Sequence, residues 1–132
     1  MSNLVSGADR GLETEAFAAE WIAAFNALDL ERVLSHYAED IVLVSPVAIE
    51  RLGRDDGEVR GKTALRAYFA TGVYPGSPLK FSLRNCYRGV ASVVLEYDRH
   101  DGRRGAEFME LDEDGLIKRV VAHYVSTGSK DR

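Results

Sequence analysis

From Thr14 to Leu28 (TEAFAAEWIAAFNAL) the apolar positions Phe17, Trp21, Ala24, Phe25 and Leu28 recur at spacings of three and four. That is the stripe of an amphipathic helix, with Phe17, Trp21 and Leu28 turned to a core. Asp29 is placed to N-cap a short helix through Leu30, Val33, Leu34 and Tyr37, its carboxylate accepting from free backbone N–H groups. Ile41–Val44 then reads as a brief apolar strand that Pro46 interrupts. Glu50–Arg60 (ERLGRDDGEVR) is polar and contains two glycines, so it reads as a loop or ragged hairpin with solvated acids. Gly61 opens a second amphipathic helix, Lys62–Thr71, with Leu65, Tyr68 and Phe69 on one face and Gly72 placed to end it. Pro75, Gly76 and Pro78 mark a bend.

Downstream the period shortens to that of strands. Leu79–Arg88, Val90–Asp98, Arg104–Asp112 and Leu116–Ser126 read as four strands separated by Gly89, Asp101-Gly102 and Asp114-Gly115, the punctuation of hairpins in an antiparallel meander. Helices followed by a run of strands predict an α+β fold. In Arg104–Asp112 the residues Gly105, Glu107, Met109 and Leu111 share one face, so a carboxylate lies among apolar neighbours. In the last strand Val120, Ala122 and Tyr124 lie on one face and Ile117, Val121, His123 and Val125 on the other. Both faces ask for cover, one from the helices and the other from a second subunit.

Composition narrows the function classes. The chain has 132 residues, 45% hydrophobic and 29% charged, which fits one domain over 1–132 with an ordered core about 14–126 and a polar leader and tail. The formal charge is −4, with no Lys/Arg-rich stripe, so nucleic acid and membrane are not expected partners. Cys86 is the sole cysteine, which removes an internal disulfide and argues against a thiolate zinc site. His36, His100 and His123 have no metal-ligand spacing, so no metal is expected. Met1–Glu15 carries acids and no basic-then-apolar pattern, so no secretory signal is read and a cytoplasmic location is expected.

The stretches WIAAFNALDLERVLSHYAEDIVLVSPVA, VRGKTALRAYFATG, LEY and FMELDEDGLIKRVVAHY together resemble the SnoaL-like branch of the nuclear transport factor 2-like superfamily, over roughly residues 14 to 126. The resemblance implies a cone-shaped α+β barrel, in which a curved, mostly antiparallel sheet wraps the N-terminal helices around a deep apolar pocket. It also implies homodimers through the outer sheet face and no cofactor. Activities in such a family range over isomerases, cyclases, dehydratases, hydrolases and non-catalytic binding domains, so the fold names no reaction.

Laid on the ketosteroid isomerases of that superfamily, the place of the general base before a proline falls at Ser45, a neutral hydroxyl that takes no proton unaided. The oxyanion-hole tyrosine falls at Trp21, the protonated acid of the penultimate strand at Glu107, a supporting tyrosine of the short helix at Tyr37, and another network tyrosine at Phe69. This pattern argues against ketosteroid isomerisation itself. Glu107 and Tyr37 are the expected acid or hydrogen-bonding groups. A small apolar molecule would lie among Trp21, Ser45, Tyr68 and Phe69 from the helical half and Met109, Val120 and Tyr124 from the sheet. Each has a plainer reading: Trp21 as core, Tyr37 and Tyr68 as core aromatics with backbone-bonded hydroxyls, Ser45 as a turn residue, Glu107 in a salt bridge with Arg104, Arg119 or another basic group across the sheet, and His123 in a dimer contact. Two classes stay open: a cofactor-independent acid–base enzyme on an apolar carbonyl or polycyclic compound, and a non-catalytic ligand-binding or dimerisation domain.

Overall fold

The computed structural model describes residues 7–126, with side chains over 13–125; the predicted tail beyond 126 and the first six positions of the leader lie outside the described residues. Helix α1 spans Gly7–Asn26, upstream of the predicted start at Thr14. Trp21, Ala24 and Phe25 are buried as the expected stripe requires, joined by Thr14 and Ala18, whereas Phe17 is half-buried and Leu28 lies past the helix end at φ 57° and is half-buried too. Asp29 caps α2 (Leu30–Leu34) as predicted, accepting from the Arg32 N–H at 3.1 Å. The short helix ends before Tyr37, however. Tyr37 opens strand β1 (Tyr37–Val44) because it pairs with Ile117, so sheet pairing overrides the helical spacing.

Pro46 does more than interrupt β1. It starts helix α3 (Pro46–Leu52), with Ser45 as the N-cap and Gly53 ending it in the left-handed region at φ 72°. Proline's fixed φ suits a first helical turn, and seven residues carry too little periodicity for a helix to be read from sequence. The predicted loop at Glu50–Arg60 therefore splits into the end of α3, a turn, and β2 (Glu58–Arg60), which pairs antiparallel with β1 across the intervening α3. Helix α4 covers Lys62–Phe69, and the meander follows the glycines: β3 (Phe81–Arg88), β4 (Ser92–Arg99), β5 (Arg103–Leu111) and β6 (Ile117–Ser126).

The strands form one open, six-stranded sheet in the order β2-β1-β6-β5-β4-β3, antiparallel except for the β1–β6 pair. The fold is α+β with a mostly antiparallel sheet, as expected, although the sheet is unclosed. One parity expectation fails. Strict alternation puts Ile117 on the face of Val121 and His123, yet it is fully buried with Val120. The register moves from Glu110↔Arg119 to Leu111↔Ile117, so Lys118 is an extra residue that flips the alternation. Helix α1 lies over β3, and Asn26 fixes the two together: its amide donates to the Phe81 carbonyl and accepts from the Phe81 N–H, both at 2.8 Å. Among the described residues no helix is long and apolar enough to cross a membrane.

Candidate functional site: a buried carboxyl in an aromatic cavity

The register of the meander builds the site. On the inner face of β4, β5 and β6, Tyr97, Gly105 and Tyr124 form one row, and Leu95, Glu107 and Ala122 the next. Glu107 is 6% exposed. Its diagonal neighbour Tyr97 donates a short hydrogen bond to Oε2. Gly105 makes that contact possible, since a Cβ there would stand 2.7 Å from Tyr97 Cζ and 2.9 Å from its hydroxyl. The small Ala122 beside Glu107 in its row leaves space that a larger side chain would fill on the inner face of the sheet.

That space is a cavity with about 50 Å³ of room for water-sized occupants. Its wall is aromatic, from Trp21 and Phe25 of α1, Tyr68 and Phe69 of α4, Phe81 of β3, and Tyr97 and Tyr124 of the sheet. Four polar side chains complete it: Ser45, Arg51, Arg99 and Glu107. Burial raises the Glu107 carboxyl to about 7, while the Tyr97 hydrogen bond and the positive charge of Arg99 pull the other way. No guanidinium is within ion-pair distance of Glu107 among the described residues: Arg104 pairs with Asp98 at 3.0 Å and Arg119 with Glu110 at 3.9 Å. Burial and the charge of Glu107 in turn hold Tyr37 and Tyr97 well above the ordinary phenol range and bring Tyr124 up to about 12. All the phenols around the carboxyl therefore stay protonated and able to donate at neutral pH.

The expected site residues divide into two groups. Trp21, Ser45, Tyr68, Phe69, Glu107 and Tyr124 come together in the cavity wall, whereas Tyr37, Met109 and Val120 do not line it. Met109 and Val120 are fully buried in the packed core. Tyr37 sits behind Trp21, whose indole N–H donates to the Tyr37 hydroxyl at 3.0 Å, so the donor expected at Trp21 is already engaged. Ser45 has three partners: its Oγ accepts from the Val47 N–H at 3.1 Å, and hydrogen bonding to it eases the upward shift of Tyr68 and of Tyr124. His123 is exposed on the outer face, opposite Ala106.

Sequence reasoning missed Tyr97, Arg51 and Arg99. One signal for Tyr97 was available: Gly105 is a lone glycine inside an otherwise regular strand, which marks a close approach from a neighbouring strand. Arg99 had none, because its burial depends on a fold-level contact. It stacks over the rings of Phe81 at 5.5 Å and Tyr124 at 5.3 Å. Among the described residues no cluster of His, Cys, Asp or Glu is suited to hold a metal ion.

Residues 18–120 match the model of the SnoaL-like domain family. Among solved structures, a SnoaL-like protein of unknown function from Burkholderia thailandensis is 33% identical, with a TM-score of 0.82 over 86% of this chain and 94% of that one. A candidate isomerase of the SnoaL-like family from Agrobacterium tumefaciens is 18% identical, with a TM-score of 0.67 over 87% of this chain and 99% of that one. A candidate ketosteroid isomerase from Kribbella flavida is also 18% identical, with a TM-score of 0.67 over 88% and 80% of the two chains. At that identity the last two speak for the fold alone. No curated protein matches the chain.

Proposed function

The chain belongs to the SnoaL-like domain family, and from that premise we propose that its cavity binds a compact carbonyl compound and moves a proton on it through Glu107. The observation that carries this reading is a buried carboxyl with a pKa of about 7, steadied by Tyr97 and facing an aromatic cavity. A carboxyl poised near neutrality serves both as base and as acid. As carboxylate, Glu107 takes a proton from the carbon next to a carbonyl; the electron pair moves onto the carbonyl oxygen, and the same carboxyl returns the proton at that carbon or at a conjugated one. The negative oxygen needs donors, and the Tyr124 and Tyr68 hydroxyls in the wall supply them by turning from Ser45, their partner in this structure, to the ligand. The indole of Trp21 is bonded to Tyr37, so it shapes the wall rather than serving the oxyanion. The room of about 50 Å³ holds a few waters or a small organic molecule, which favours a compact ligand over a polycyclic one.

A panel of small ketones and enones incubated in deuterated water, followed by NMR, tests the reading. Protein-dependent deuterium uptake next to the carbonyl, lost in Glu107→Gln with binding retained, is the expected result. Binding without exchange would support the second reading, a non-catalytic ligand-binding module. One observation favours that alternative: the residue before Pro46 is Ser45, an N-cap hydroxyl, so Glu107 has no second carboxylate beside it in the wall.

A further inference from the structure

Arg51 and Arg99 line the cavity and Arg103 stands 6.0 Å from the ring centre of its wall residue Tyr124, and the three are in unequal circumstances. Arg99, 8% exposed in its side chain, pairs with Asp101 at 3.1 Å. Arg103 pairs with Glu50 at 3.1 Å and lies 3.9 Å from Asp101. Two carboxylates thus offset two guanidiniums. Arg51, also in the cavity wall, has no carboxylate partner among the described residues. Its guanidinium lies 5.8 Å from the centre of the Tyr68 ring, and Nη1 donates to Thr71 Oγ1 at 2.8 Å. Gly72 leaves room for it, since a Cβ there would stand 3.1 Å from Nη1. The opposite edge, Nε and Nη2, meets no protein acceptor among the described residues. Arg32 shows what that edge does in this molecule: its Nε and Nη2 grip both oxygens of Glu20, at 2.9 and 2.8 Å.

Resting on the reading of the cavity as a small-molecule site, we propose that the ligand is a compact monocarboxylate, its carboxylate held by the Nε–Nη2 edge of Arg51 at the mouth and its uncharged end against the aromatic wall near Glu107. A planar guanidinium fixed by Thr71 and stacked on Tyr68 is preorganised for two-point recognition of a carboxylate. A guanidinium with no carboxylate against it suits one negative charge at its own edge, and Glu107 disfavours a second negative charge deeper in the cavity. The small volume restricts the rest of the molecule to a few carbons or a single ring.

Matched pairs of probes test this: crotonate against crotonamide, and phenylacetate against phenylacetamide, titrated into the full-length protein. The single tryptophan, Trp21, lies in the cavity wall and reports through its indole N–H resonance and its fluorescence. Each carboxylate should bind about ten- to a hundredfold more tightly than its amide, the range of a charge-assisted hydrogen-bonded pair. Arg51→Gln should bring the carboxylate down to the level of the amide and leave the amide unchanged, while Arg51→Lys should keep part of the preference. Equal binding of acid and amide by the wild type would overturn the proposal while leaving a small-molecule cavity standing, as would a preference that survives in Arg51→Gln. Absence of binding by all four probes would overturn the cavity reading and this proposal with it.

Discussion

Glu107 couples the candidate chemistry to stability. Its carboxyl titrates near 4.5 in an ordinary setting and at about 7 in the fold, so between those values the folded chain keeps a proton that the unfolded chain has released. The stabilising contribution of this group is therefore complete below about pH 4.5 and is lost as pH rises through about 7, a difference on the order of 3 kcal/mol. Glu107→Gln removes the titration and keeps an acceptor for Tyr97. Melting curves should find the variant more stable than wild type at pH 8, by up to about 3 kcal/mol, and within about 1 kcal/mol of it near pH 4. A variant equally destabilised at both pH values would identify Glu107 as a structural partner instead. The neighbouring Gly105 gives a second test. Gly105→Ala drives a methyl into the Tyr97 ring and should cost about 1–3 kcal/mol. Losing the Tyr97 donor should also raise the Glu107 titration further, read by carbon NMR of its carboxyl; an unchanged titration would separate the two residues.

At the scale of elements, the fold places the aromatic wall through few but specific joints. Asn26 satisfies both backbone groups of Phe81 and so fixes the end of α1 to the start of β3, bringing Trp21 and Phe25 against Phe81. Asn26→Ala leaves that N–H and C=O without partners and should destabilise by about 1–3 kcal/mol in denaturant titration. Amide exchange at Phe81 should accelerate with it; exchange as slow as in wild type would show that the joint is redundant. The hairpins of the meander were readable from Gly89, Gly102 and Gly115: Gly102 and Gly115 take up the left-handed backbone at φ 87° and 81°, and Gly89 admits the Ser92 side chain, which a Cβ would meet at 2.4 Å. Helix α3 was not. Its cap, Ser45, and its first residue, Pro46, look from sequence like the end of a strand, and only the following turn of helix tells the two apart.

Across the whole molecule, the outer face of the sheet carries a continuous apolar row that crosses five strands: Tyr87, Val94, Phe108, Val121 and Val44. Tyr87 is 52% exposed and the others are half-buried. The adjacent row, Asn85, Glu96, Ala106 and His123, is largely polar. We propose that this face meets a second copy of the chain, an apolar strip with a polar border being the composition of a protein interface. Sedimentation should give about twice the 14.6 kDa of one chain, and Val121→Asp should shift the species toward monomer. A wild-type protein that sediments as a monomer at micromolar concentration would remove the second copy without touching the cavity.

Local pattern alone determined helices α1, α2 and α4, the four-stranded meander and the apolar face that Glu107 shares with Met109, because periodicity and turn chemistry act over a few residues. It also placed Trp21, Tyr68, Phe69 and Tyr124 correctly on buried or half-buried positions. What only the tertiary structure decided is which of those positions border a void. Met109 and Glu107 share a face of β5, yet only Glu107 lines the cavity, since the space lies beside the small Ala122 of its own row and is closed by α1 and α4, far away in the chain. The fate of Tyr37 was decided in the same way, by a parallel pairing with Ile117 from the far end of the chain. The bulge at Lys118 belongs here too, because no local signal counts the residues facing it on β5. Periodicity reports which side of an element is buried; whether burial means packing or a cavity depends on side chains distant in sequence, and close packing leaves that to the assembled fold.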